Sequence, residues 1–138
     1  MRIVVDTNVV VSALLFGGVP LRVLRAGEAG IVDLYTSRVL IEELADVIER
    51  PHFDRKFSET KISRRRLISD YMAIVNVVDP QSLSHNVSRD PDDDEVVACA
   101  LATECEFIVT GDQDLLVLKE YQRIFILNPS EFLTEIGL

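Results

Sequence analysis

Five short apolar runs, separated by segments with helical spacing, constrain the fold of this 138-residue chain more than any other feature. The first run, Ile3 to Val5, does not alternate with polar residues, which is typical of a strand buried on both faces. The alternation predicts one domain, residues 1–138, with a three-layer α/β/α architecture and a central parallel sheet of four or five strands. The predicted strands are residues 3–5, 32–36, 74–78, 107–110 and 124–127.

Helix signals fill the gaps between these runs. Ser37 can cap a helix that starts at the next residue, and Pro129 suits the first turn of the last one. Residues 52–60 read as a loop, and residues 80–92 as an irregular connection rich in Ser, Asn and Asp. The predicted helices are residues 9–15, 20–26, 38–49, 60–72, 93–104, 114–119 and 129–136.

Carboxylates lie at strand ends or early in helices at four places along the chain. If the strands are parallel neighbours, these places open onto one crevice, where open α/β sheets hold their ligands. Crowded carboxylates repel one another unless protons or cations neutralise them. With oxygen ligands and almost no His or Cys beside them, the expected cation is Mg²⁺ or Mn²⁺. The acidic positions are Asp6, the pair Glu42 and Glu43, the run 90–95, and the pair Asp112 and Asp114.

The charge of the chain is unevenly distributed. The net charge is −9, yet residues 1–75 carry 11 basic and 10 acidic side chains, whereas residues 76–138 carry 3 and 13. Half of the basic residues fall between positions 50 and 66, with Arg64, Arg65 and Arg66 adjacent. A basic segment beside an acidic metal crevice can hold a phosphodiester. The alternative is a solvated helical face.

Composition excludes several classes of protein. No apolar run approaches the roughly 18 residues of a membrane span. The chain enters its first apolar run after a single Arg and without a small-residue cleavage site, unlike a signal peptide. We therefore expect a soluble, cytoplasmic protein. Cys99 and Cys105 are expected to be buried free thiols rather than a disulfide or a metal pair.

Four short motifs occur in order, each in a matching strand–helix context. They are Asp6-Thr7-Asn8, Glu43-Leu44, Asp90-Pro91-Asp92-Asp93 before an alanine-rich helix, and Thr110-Gly111-Asp112-Gln113-Asp114. Together they resemble the PIN domain family, and the closing Asn128-Pro129-Ser130-Glu131 is similar to the last helix of that family. The resemblance covers essentially the whole chain. It is closest to the stand-alone bacterial and archaeal toxins of the VapC kind.

The resemblance implies an Mg²⁺- or Mn²⁺-dependent ribonuclease, because PIN domains have that activity. Asp6 and Asp93 would be direct metal ligands, and Glu43 and Asp112 would bind a second ion or orient water. Thr110 would hydrogen-bond Asp6 or a metal-bound water. The resemblance also implies an RNA substrate, a small antitoxin partner and a homodimer. The full set of implied site residues is Asp6, Glu43, Asp93 and Asp112, with Asp114 as a further ligand, Asn8 and Thr110 in support, and Arg64, Arg65 and Arg66 on RNA.

Each of these positions has a structural alternative. Asp6 alone could simply cap the first helix. Glu43 is preferred over Glu42 by its spacing, and Asp93 over Asp92 and Asp94 by the register of the following helix. Other acids of the run 90–95 would serve as caps and helix-dipole partners. Asp112 and Asp114 remain alternative direct ligands.

Two other functional classes compete with a nuclease. A haloacid dehalogenase-like phosphatase also places an aspartate after its first strand, but it needs a second one two residues later, where this chain has Asn8. The late Lys that such a mechanism requires is also hard to place. The non-enzymatic alternative is a catalytically inactive PIN-like module that binds RNA or protein. The presence of all four acids argues against that alternative.

Overall fold

The computed structural model describes residues 1–79 and 91–138, with the backbone alone for residues 91–94. All five runs named above form strands, and these strands pair in parallel. The sheet order is β3-β2-β1-β4-β6-β5, in which the added strand β5 is antiparallel to β6. The strands are β1 (Arg2–Val5), β2 (Asp33–Ser37), β3 (Asn76–Val78), β4 (Phe107–Val109), β5 (Glu120–Tyr121) and β6 (Ile124–Leu127).

The edge strand β5 was missing from the sequence prediction. It has two residues and joins β6 through Gln122 and Arg123, both of which have positive φ. Such a tight hairpin normally contains Asn or Gly, so its sequence signal was absent. The prediction of four or five parallel strands is therefore correct for the parallel part, and the complete sheet has six strands.

Eight α-helices and a 3₁₀ turn (Pro51–Phe53) occur in the described part of the chain. Five helices are preceded by an N-cap residue whose side chain accepts a hydrogen bond from a backbone N–H of the first turn. These caps are Asp6, Ser37, Ser63, Asp112 and Asn128. The helices are α1 (Thr7–Phe16), α2 (Gly18–Glu28), α3 (Arg38–Ile48), α4 (Asp54–Thr60), α5 (Arg64–Met72), α6 (Pro91–Ala102), α7 (Gln113–Leu116) and α8 (Pro129–Glu135).

Helix α4 corrects the prediction of a loop over residues 52–60. The segment buries only Phe57, so it has no apolar stripe that would reveal a helix. An ion pair between Arg55 and Glu59, one turn apart, supports the helix from its exposed side. Lys61 then ends α4 in the left-handed conformation, and the basic segment breaks there before α5.

Helices cover both faces of the sheet, which confirms the predicted three-layer α/β/α architecture. Ile3 and Val5 of β1 point to one face, where they join a core with α1, α2, α3, α5 and α8. Val4 points to the other face and packs with Val96 and Val97 of α6. All three β1 side chains are buried, as expected for a strand without alternation. No single helix in the described part is long and apolar enough to cross a membrane, and only the pair α1 and α2, bent by 99°, has that length and composition.

Arg64 connects three helices. Its Nε donates to the carbonyl oxygen of Ile48 at the end of α3, at 2.6 Å. Its guanidinium also pairs with Asp54 of α4 and lies 4.4 Å from the ring centroid of Phe57. The side chain is 25% exposed, so most of it serves internal contacts.

Cys99 and Cys105 are free and buried, as the sequence analysis expected. Cys105 Sγ lies 2.8 Å from the Thr103 hydroxyl oxygen. Burial raises the pKa of Cys99 to about 12 and, with opposing effects from Thr103 and Arg2, that of Cys105 to about 11. Neither thiol has the depressed pKa of a reactive cysteine.

We predict that Arg64→Ala lowers the free energy of unfolding by about 1–2 kcal/mol. The substitution removes a mostly buried guanidinium together with its hydrogen bond to Ile48 and its ion pair with Asp54. Urea unfolding would measure the change. Arg65 is the neighbouring exposed arginine, and Arg65→Ala is the matched control, with an expected change within about 0.5 kcal/mol. Equal stability of the two variants would contradict the internal role of Arg64.

We also predict that Cys99 contributes to a loss of stability at alkaline pH. The pKa of Cys99 is raised in the folded state, so the thiol ionises at lower pH in the unfolded chain than in the folded one. The contribution of Cys99 to the free energy of unfolding is therefore intact below pH 9 and is lost as pH rises toward 12. The unfolding free energy of Cys99→Ala should therefore fall less steeply above pH 9, by up to about 1.4 kcal/mol per pH unit. Denaturant unfolding at several pH values would measure both slopes, and parallel curves would contradict the prediction.

Candidate functional site

The carboxyl ends of two adjacent parallel strands form the centre of the candidate site. Val5 of β1 lies opposite Val109 of β4, so the residues that follow each strand are neighbours. The backbone N–H of Asp6 donates to the Val109 carbonyl at 2.9 Å and extends this pairing by one residue. Asp6 and Thr110 thus lie side by side at the edge of the sheet where open α/β folds hold ligands.

A chain of hydrogen bonds joins Asp6, Thr110 and Asp112. The Thr110 hydroxyl donates to Asp6 Oδ2 at 2.7 Å. The oxygen of this Thr110 hydroxyl also accepts the backbone N–H of Asp112, at 3.0 Å. Asp6 Oδ1 accepts the N–H of Thr7 at 2.8 Å. Asp6 is 6% exposed and Thr110 is fully buried. Each oxygen of the Asp6 carboxylate is thereby held in place by a donor.

Asp6 therefore does cap α1, as the structural alternative proposed, and it also bonds to the neighbouring strand. Asp112 likewise both caps a helix and bonds to a neighbouring residue of the site. It caps the short helix α7 by accepting the N–H of Asp114 at 2.8 Å, and its own N–H is bound to Thr110. Asp112 and Asp114 are both half-buried, so burial does not distinguish them as ligands.

Glu42 and Glu43 differ in their surroundings. Glu42 is exposed and pairs with Arg38 one turn earlier, at 3.3 Å. Glu43 is half-buried and precedes Leu44, which packs in the core. Leu44 and Thr7 line one small cavity of about 10 Å³, so this turn of α3 lies against the start of α1. Glu43, rather than Glu42, is on the side of α3 that faces the rest of the protein.

The side chain of Asp93 lies outside the described residues, as do those of its alternatives Asp92 and Asp94. The backbone places Asp93 in the first turn of α6, which packs across β1, β2 and β4. Among the side chains that the structure describes, no group of three or more His, Cys, Asp or Glu residues is arranged to hold a metal ion.

A cleft of about 330 Å³ opens beside Asp112, and sequence reasoning did not identify it. Asn8, predicted as a supporting residue, is exposed and lies on its wall. Two prolines from the starts of α2 and α8 form other parts of the wall, and only the folded chain brings them together. The complete lining is Asn8, Val9, Ser12, Pro20, Gly111, Asp112 and Pro129.

The three adjacent arginines differ in their contacts. Arg64 is held within the fold, as described above. Arg66 is exposed and pairs with Asp70 at 3.1 Å, one turn along α5. Arg65 is exposed as well. The cluster is therefore not one continuous basic surface: Arg65 and Arg66 are exposed, whereas Arg64 is mostly covered.

Comparisons with known proteins agree with the fold. A family model described as PIN domain matches residues 2–114. One chain in the crystal structure of VapBC2 from Rickettsia felis, bound to a DNA fragment from their promoter, has a similar fold, with a TM-score of 0.63 and 13% identity. The match covers 93% of this chain and 98% of that one. No curated protein matches the chain in sequence.

We predict that Thr110→Val destabilises the fold by about 1–3 kcal/mol, because it removes the two hydrogen bonds that the buried Thr110 hydroxyl makes with Asp6 and with the N–H of Asp112. Thr110→Ser keeps both hydrogen bonds and loses one methyl group, so its cost should be smaller. Denaturant unfolding in metal-free buffer would compare the two variants. A Val variant as stable as the Ser variant would contradict a structural role for these bonds.

Proposed function

The chain belongs to the PIN domain family, and from this premise we propose that it is a divalent-metal-dependent ribonuclease, the toxin of a toxin–antitoxin pair. The observation that supports this most directly is the hydrogen-bonded chain Asp6–Thr110–Asp112 at adjacent strand ends. It fixes the carboxylate of Asp6 and the backbone of Asp112, whose side chain lines an open cleft.

The donor set fits Mg²⁺ or Mn²⁺. Asp6, Asp112 and Glu43 offer only carboxylate oxygen, the ligand type that these hard cations prefer. The described residues do not form a group of three ligands. Mg²⁺ is nevertheless commonly bound through one or two carboxylates while it keeps several waters. An open, partly hydrated site is therefore within its ordinary coordination.

The proposed roles follow from these positions. Asp6 and Asp93 would be direct ligands, and Glu43 and Asp112 would bind a second ion or orient a water. Asp114, in the first turn of α7, would be a further ligand. When bound, the cation would activate water and neutralise the charge that develops on the phosphodiester.

The protein's own contribution is orientation. The N–H of Asp112 occupies a lone pair of the Thr110 oxygen, so the hydroxyl hydrogen is directed to Asp6 Oδ2. Oδ1 of Asp6 accepts from the N–H of Thr7 and Oδ2 accepts from the Thr110 hydroxyl, so both carboxyl oxygens are fixed in orientation. The side chain of Asp6 is thereby presented in a fixed orientation, and Asn8 can offer amide donors to phosphate oxygens across the cleft.

RNA contacts from the basic segment are proposed for Arg65 and Arg66, which are exposed. Arg64, included in the original prediction, would contribute less because its guanidinium is bound within the fold. A contact of this kind would bind phosphate without reading sequence. Substitution of Arg65 should therefore weaken binding uniformly across RNA substrates.

We further propose a small antitoxin as a partner and a homodimer as the assembly. The structural relative from Rickettsia felis is a VapBC2 complex, which supports a two-component system for this fold. The family match gives no support to the phosphatase alternative. The inactive binding module is the remaining alternative, and metal binding and cleavage distinguish it from a nuclease.

We predict that Mn²⁺ or Mg²⁺ supports cleavage of single-stranded RNA, that EDTA stops it, and that Asp6→Asn abolishes it. Mn²⁺ should also raise the melting temperature of the wild-type protein, because an ion that binds only the folded state stabilises it. Asp6→Asn should lose this shift. Its metal-free stability should remain near that of the wild type, since the amide oxygen can still accept from Thr7 and the amide NH2 can donate to the Thr110 oxygen.

The matched control is Glu42→Gln, which removes a carboxylate that pairs with solvent-exposed Arg38. This variant should keep both the cleavage and the Mn²⁺-induced shift. Cleavage by Asp6→Asn, or cleavage unaffected by EDTA, would refute the proposed metal-dependent mechanism. A Mn²⁺ shift without any cleavage would instead favour the inactive module.

A further inference from the structure

One face of α1 leads away from the acidic site. Asn8, Ser12 and Phe16 follow one another at intervals of four residues, and an α-helix places such residues along one side. Asn8 and Ser12 line the cleft beside Asp112. Phe16 lies at the far end of the helix, about 12 Å from Asn8 along its axis. This face therefore continues the cleft as a path of a few nucleotides in length.

Phe16 is 63% exposed, a large value for an aromatic side chain. Lys56 of α4 places its ammonium nitrogen 5.3 Å from the centre of the Phe16 ring, within the range of a cation–π contact. No ion pair among the described side chains includes Lys56. By contrast, Arg55, Arg64 and Arg66 of the same basic segment each pair with a carboxylate.

An exposed single apolar residue is ordinary by itself. Here the ring is aligned with the candidate site and accompanied by a cation that has no carboxylate partner in the described structure. Proteins that hold single-stranded nucleic acid combine these two elements, an aromatic ring on which a base stacks and a cation near the backbone phosphates. The combination points to an occupant that has both flat bases and negative charge.

We propose that single-stranded RNA leaves the acidic site through the cleft and follows α1, with one base stacked on Phe16 and a phosphate beside Lys56. This inference rests on the proposed nuclease function and names its substrate class. The cleft holds a nearer nucleotide, with Pro20 and Pro129 as apolar walls and Asn8 and Ser12 as hydrogen-bonding groups. Bases inside a duplex are stacked on their neighbours and have no free face for the ring, so the interior of double-stranded RNA does not fit this path.

The experiment measures binding of a short fluorescent single-stranded RNA by anisotropy, in the Asp6→Asn background and in EDTA, so that no cleavage occurs. Phe16→Leu keeps the apolar bulk but removes the aromatic face, and Phe16→Tyr keeps that face. Phe16→Leu should weaken binding about 5- to 10-fold, at the lower end of the range for a stacked base, and Phe16→Tyr should change it little. Phe16→Leu should leave the binding of duplex RNA unchanged.

Lys56 is tested by the salt dependence of the same binding. Lys56→Gln removes one phosphate contact and should reduce the slope of log affinity against log salt by about 0.7, the value for a single strand. Lys56→Arg should keep the slope. Phe125→Leu is the matched aromatic control. Phe125 is 48% exposed but pairs with Phe107 at the amino end of β4, opposite the site.

The outcomes separate this inference from the proposed function. Normal RNA binding by Phe16→Leu, or an equal loss in Phe125→Leu, would overturn the path along α1 while the nuclease proposal stands. An equal loss in Phe16→Leu and Phe16→Tyr would overturn the stacking role. Wild-type protein that neither binds nor cleaves RNA would overturn both. Circular dichroism of each variant checks that folding is intact.

Discussion

The Thr110 hydroxyl lies between Asp6 and Asp112, and the geometry of the candidate site depends on its two hydrogen bonds. These bonds require β1 and β4 to be adjacent, parallel and in the observed register. A shift of one residue would turn every side chain of the strand to the opposite face of the sheet. The buried side chains Ile3, Val4 and Val5 prevent such a shift, so core packing also determines where Asp6 is presented.

The same arrangement addresses the electrostatic difficulty of an acidic site. A carboxylate that is 6% exposed loses much of its hydration, and nearby carboxylates add repulsion. Donors from Thr7 and Thr110 replace part of that hydration for Asp6. A bound divalent cation would supply the remaining compensation in the proposed nuclease, which explains why stability and catalysis would depend on the same ion.

The basic segment shows how local structure changes the meaning of a charge cluster. Three of its arginines pair with carboxylates, and Arg64 also connects α3, α4 and α5. An arginine held in this way contributes to stability more than to binding. In the proposed path for RNA, Lys56 contributes more than its neighbours because it lies over an exposed ring that is aligned with the cleft.

The sequence by itself determined the strand–helix alternation, the placement of Asp6 and Asp112 after strands, and the family, because these depend on local spacing and on ordered motifs. It missed α4, which buries one side chain, and β5, whose turn has neither Asn nor Gly. Only the tertiary structure bound Arg64 within the fold and brought Pro20, Pro129 and Ser12 around one cleft. Those features depend on packing between residues distant in the chain, which no local pattern records.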